Sequence, residues 1–61
     1  MDWQEANCII DALKLLVAQH ETTLLDSALD EDTRADTMND LAYTEILLHK
    51  YEEIRDRIAA S

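Results

Sequence analysis

The stretch LDEDTRADTMNDL, residues 29–41, decides how this chain folds, because it separates two apolar patterns in a sequence with no glycine and no proline. Aspartate is the best remaining turn residue, since its short carboxylate accepts hydrogen bonds from nearby backbone amides. Asp30 and Glu31 are therefore expected to form the link. Asp32 or Thr33 should cap the helix that follows, with Asp36 close to its positive first turn. An uninterrupted helix is the competing reading. Asp32, Asp36 and Asp40 repel one another at i,i+4 spacing, which speaks against it.

On either side of the corner the apolar residues recur at helical spacing. Upstream they are Ala6, Ile9, Ile10, Leu13, Leu16, Val17 and Leu24. Downstream the positions are Leu41, Thr44, Leu47, Leu48, Tyr51, Ile54 and Ile58. Asp2 with Glu5 resembles a capping box at the start, and Arg55 and Arg57 complement the dipole of the last turn. The pattern predicts one all-α domain over 1–61: a helix over about 3–29, a turn at 30–31 and a helix over about 32–59. The two helices form an antiparallel hairpin.

Two helices of this kind cannot enclose a core. The apolar arc of the second runs from Ile46 through Tyr43, Leu47 and Tyr51 to Leu41, too wide for one neighbour. Leu15, Leu25 and Leu29 lie off the main stripe of the first. Sixty-one residues are also close to the lower limit for independent folding, and a lone Cys8 supplies no intrachain disulfide. Dimerisation into a four-helix bundle meets all these demands.

The net charge is -9, and residues 26–40 alone carry six acids against Arg34. Such a surface repels phosphate backbones, so nucleic acid and membrane are not the expected partners and a basic protein surface is. Asp30, Asp32, Asp36 and Asp40 are the candidate contact residues. The acidic N-terminus does not read as a signal peptide, and no apolar run is long enough to span a bilayer. With an unpaired thiol, this points to a soluble cytoplasmic protein.

Leu29, Asp30, Asp32, Ala35, Asp36 and Leu41 stand as they do in the turn of the Rop family, the repressor-of-primer proteins of plasmid replication control. Gln4, Glu5, Ala12, Leu48 and Arg55 are further agreements. The resemblance implies a hairpin of about this length that dimerises into a four-helix bundle. It also implies an RNA-docking face on the first helix, which here falls on Ile10, Lys14, Ala18 and Leu25.

Other clusters are weaker. Asp30, Asp32 and Asp36 suggest a calcium loop, but the sixth position is Ala35 and the twelfth Leu41, where a glycine and a glutamate are needed. Glu45, His49, Glu52, Glu53 and Asp56 have spacings suited to a metal, on the face opposite the apolar arc. His20 sits within the first stripe, level with Leu41, so Asp40 or Thr44 should join it in a polar core layer that senses pH if Asp40 is its ionised partner. Residues 51–54 spell YEEI, which resembles a phosphotyrosine motif but reads as a seam tyrosine followed by exposed glutamates. Trp3 is expected to close the open end, and Cys8 has no base beside it.

No catalytic set emerges, and no cofactor is expected. The sequence reads as a small acidic, non-enzymatic regulatory or interaction protein, an inhibitor or nucleic-acid mimic. A Rop-like RNA-binding regulator is the alternative, and a carboxylate and histidine metal bundle the second.

Overall fold

A computed structural model describes all 61 residues as two α-helices, α1 (Trp3–Leu24) and α2 (Glu31–Ala60), packed against each other as a hairpin. The hairpin is a rod of 48 × 14 × 13 Å. Its length is that of α2, since 30 residues at 1.5 Å rise span about 45 Å. No helix is long and apolar enough to cross a membrane.

The boundaries differ from the sequence expectation. α1 stops at Leu24 rather than near residue 29, and the connection is the six-residue stretch 25–30 rather than 30–31. Two local bonds account for this. The Asp26 carboxylate accepts from the Ala28 amide at 2.9 Å, an Asx-type turn that competes with continued helix. Asp30, not Asp32 or Thr33, caps α2: its carboxylate accepts from the Thr33 amide at 2.7 Å, and Glu31 is already helical. Asp2 caps α1 in the same way, accepting from the Glu5 amide at 2.7 Å.

The covered positions of α1 are Ala6, Ile10, Leu13, Val17, His20 and Leu24, recurring in steps of four and three. Those of α2 recur likewise from Arg34 through Thr37, Leu41, Thr44, Leu48, Tyr51 and Arg55 to Ile58. That spacing is a coiled-coil seam. The α2 side of it is unusually polar, and only Ala6 and Ile10 are fully buried apolar residues. Buried Thr37 and Thr44 satisfy their hydroxyls within their own helix, donating to the carbonyls of Thr33 at 2.8 Å and Asp40 at 2.7 Å.

The columns beside the seam are unequal. Reversing both the chain direction and the facing direction puts the residue before each first seam position on the same side of both helices. That side carries Ile9, Leu16 and Thr23 from α1, with Asp40, Leu47 and Ile54 from α2. The opposite side carries Asn7, Lys14 and Glu21 facing Met38, Glu45 and Glu52. The hairpin thus has one apolar flank and one polar flank.

Ile10 is the one large side chain wholly removed from water. Ile10→Ala is expected to destabilise the fold by about 3 kcal/mol, from lost transfer energy plus the cavity left behind. Urea unfolding followed by circular dichroism checks this. A midpoint close to wild type would show that the two helices do not depend on this contact.

Candidate functional site: the acidic corner

The corner is built around one cation. Arg34, on the first turn and a half of α2, reaches back across the hairpin with both guanidinium nitrogens. Nη1 donates to the Leu24 carbonyl at 3.0 Å and Nη2 to the Asp26 carbonyl at 2.9 Å. The Leu24 carbonyl ends α1, where the last turn leaves acceptors without intrahelical partners, and the Asp26 carbonyl in the turn beyond also accepts from the Leu29 amide at 3.3 Å. A glycine would ordinarily let the chain close that end on itself. Here a planar fork from the next helix does so, a geometry that arginine provides and lysine does not.

With its guanidinium committed to backbone, Arg34 forms no ion pair with the carboxylates around it. Asp26, Asp30, Glu31, Asp32, Asp36 and Asp40 are all exposed, and none forms an ion pair. Their roles differ. Asp26 and Asp30 serve the turn and the cap, and Glu31 and Asp32 lie in the first turn of α2 where the helix dipole favours them. Asp36 and Asp40 lie beyond that turn and do no local work. Of the expected contact residues, Asp32, Asp36 and Asp40 therefore present free carboxylates, and Asp30 is engaged with Thr33.

The amide of Thr33, donating to Asp30, holds that carboxyl below its ordinary value of 3.8. The Glu5 amide does the same for Asp2. A carboxyl lowered in the folded state adds stability that is present above its unfolded value and lost as pH falls through the folded one.

The polar layer expected of His20, Asp40 and Thr44 does not form. Thr44 is buried, but its hydroxyl bonds to the Asp40 backbone, while the Asp40 side chain is exposed. His20 is half-buried at the seam and makes no hydrogen bond or ion pair. The side chains miss because Asp40 lies on the apolar flank rather than on the seam itself, so its carboxylate points to water.

The other candidates are dispersed. His49 Nδ1 lies 3.5 Å from Glu52 on an exposed surface, and no three His, Cys, Asp or Glu side chains converge closely enough to hold a metal ion. Ile10, part of the face implied for RNA docking, is completely buried. Lys14, Ala18 and Leu25 are exposed. A shallow open depression of about 540 Å³ lies next to the corner, lined by Ala18, Glu21, Thr22, Leu24 and Leu25. Trp3 continues the seam at the open end, 50% exposed, and Cys8 is an exposed free thiol. At that end Arg55 Nη1 donates to Asn7 Oδ1 at 3.4 Å.

Sequence reasoning missed Arg34, treating it only as an offset to the surrounding acids. The available signal was its position. It lies four residues after a capping aspartate, in a corner without glycine, on the seam side of the helix.

No protein-family model, curated protein or solved structure matches the chain. The likeness to the Rop family is thus a likeness of the corner residues.

Two outcomes test the corner. Arg34→Ala is expected to cost about 2 kcal/mol, since it strands the Leu24 carbonyl and leaves the Asp26 carbonyl only the Leu29 amide. Arg34→Lys should recover only part of this loss, and full recovery in urea unfolding would show that charge alone matters. Asp30→Asn keeps an acceptor at the cap but removes the titration. Its unfolding midpoint should approach that of wild type near neutral pH and fall less steeply below about pH 4.

Proposed function

We propose that this chain is a non-enzymatic interaction protein that works as a homodimer, its four helices forming one bundle and its acidic corners held out for a basic protein surface. The observation that carries the reading is how little the hairpin covers for itself. Leu16 and Tyr43, 38% and 64% exposed, are large apolar residues on the apolar flank, and Leu15, Leu25, Met38 and Ile46 are exposed elsewhere on the rod. Its accessible surface is 4573 Å², against about 4,000 Å² for a compact monomer of 7.0 kDa. Two copies expose about 9,100 Å², and a compact protein of twice the mass exposes about 6,700 Å². Reaching that value means burying roughly 2,400 Å² between the copies, within the range of stable homodimers.

The acidic corner supplies the second half of the reading. Six carboxylates stand there against one cation, Arg34, and opposite charge on a partner would speed encounter and fix orientation. An inhibitor or a mimic of nucleic acid acts through such a surface. The exposed, unpaired Cys8 thiol suits a reducing cytoplasm. A Rop-like RNA regulator gains little support, since burial of Ile10 leaves Lys14 as the one cation on the implied face.

Sedimentation equilibrium at micromolar concentration is expected to give twice 7.0 kDa, and a folded monomer would remove the homodimer. The corner is tested separately with Glu31→Gln and Asp32→Asn, which leave the cap and the helix flanks intact. A basic protein recovered from the host should associate more slowly with the double variant, with a flatter salt dependence. An unchanged rate would move the contact away from the corner.

A further inference from the structure

We propose that the second copy docks antiparallel, α2 against α2, so that the corner of each hairpin lies beside the open end of the other. This rests on the homodimer reading above and specifies its surface and direction.

The surface is the apolar flank. Ile9 and Leu16 of α1, with Leu47 and Ile54 of α2, form its apolar part, and none of them is fully covered in the single hairpin. On α2 the same surface continues outward through the next column, where Tyr43 is 64% exposed. On the opposite flank Lys14, Glu21, Glu45 and Glu52 would each have to be stripped of water, against Asp40 alone in the matching columns of this one, so that side stays outside.

The direction follows from charge. The outer column of α2 carries Asp36 near the corner, then Tyr43, then Lys50 and Arg57 towards the open end, at intervals of seven residues. Asp36 and Lys50 form no ion pair within the hairpin. Arg57 has only a loose contact with Glu53, at 3.8 Å, with both side chains more than 70% exposed. Read against a reversed copy of itself, this column is self-complementary. Asp36 meets the partner's Arg57, and Tyr43 meets the partner's Lys50, with Leu47 close to the twofold axis. On the register of the hairpin, Leu16 lies close to the same level, so α1 crosses its own copy near that axis too.

The parallel alternative, with both corners at one end, places α2 against the partner's α1. The matching columns of α1 hold Glu5, Ala12 and Gln19 beside Ile9, Leu16 and Thr23, with no cation for Asp36. It also stacks two uncompensated acidic corners side by side. The antiparallel arrangement separates them by several times the screening length of about 8 Å at physiological salt.

Charge reversal gives the test, at exposed sites that leave the hairpin itself unstrained. Asp36→Lys and Arg57→Asp, made singly, should each raise the dimer dissociation constant about tenfold at low salt. The two reversals together should return it to within about threefold of wild type. Leu47→Glu should give a helical monomer. Spin labels on Ser27→Cys, in a Cys8→Ser background, should lie roughly 45–55 Å apart, from the rise per residue along the two half-lengths. A dimer with corner labels closer than about 20 Å, or one insensitive to the reversals and to Leu47→Glu, would overturn this docking while leaving the homodimer standing. A wild-type monomer would remove the homodimer reading itself.

Discussion

The fork of Arg34 on the carbonyls of Leu24 and Asp26 is the contact on which the hairpin depends. A chain without glycine cannot close a helix through the left-handed conformation that usually ends one, and no residue here adopts a positive φ. The Leu25 and Asp26 amides meet the Thr22 and Thr23 carbonyls, but the Leu24 carbonyl must be satisfied from elsewhere. Arg34 does this from the second helix, so one side chain caps α1, fixes the approach of α2 and sets the register of the seam. The interaction is worth more than an exposed ion pair because a charged donor meets two backbone acceptors in fixed geometry.

The electrostatic character of the molecule also concentrates at this corner. Six acids surround a single arginine, and the arginine faces inward. Asp26 and Asp30 are explained by turn and cap chemistry, and Glu31 and Asp32 by the helix dipole. Asp36 and Asp40 have no such account within one hairpin. Neither takes part in an ion pair or a side-chain hydrogen bond. The arginine that closes the corner is thus ion-paired with none of its acids.

Much of the architecture was legible from periodicity. Ile10, Leu13, Val17, Leu41, Leu48 and Ile58 all take seam positions, because spacing of three and four leaves a side chain little choice of face. The corner was less legible. Asp26, Asp30, Asp32 and Thr33 are all acceptable caps, and propensity does not rank them. What ranks them is whether the long arm of Arg34 can reach the end of α1, a relation across ten residues. The His20 layer failed for a similar reason. Facing decided it: Asp40 is one column away from the seam, and at that offset its carboxylate is exposed to water. For the candidate site, sequence showed which residues are acidic but not which are free.

The bonds that tie the helices together are very unequal in the length of chain they enclose. Arg34 joins Leu24 across ten residues, whereas Arg55 joins Asn7 across 48. Closing the short loop costs less conformational entropy, so the hairpin can form by zipping from its corner, each seam step paid for by the one before it. The open end closes last and, by the same ordering, opens first. Trp3 sits at that end, half-exposed, which makes it a natural optical reporter of fraying rather than of global unfolding. Amides near Arg34 and the mid-seam should outlast those near Arg55 in hydrogen exchange, with protection graded along the rod instead of uniform.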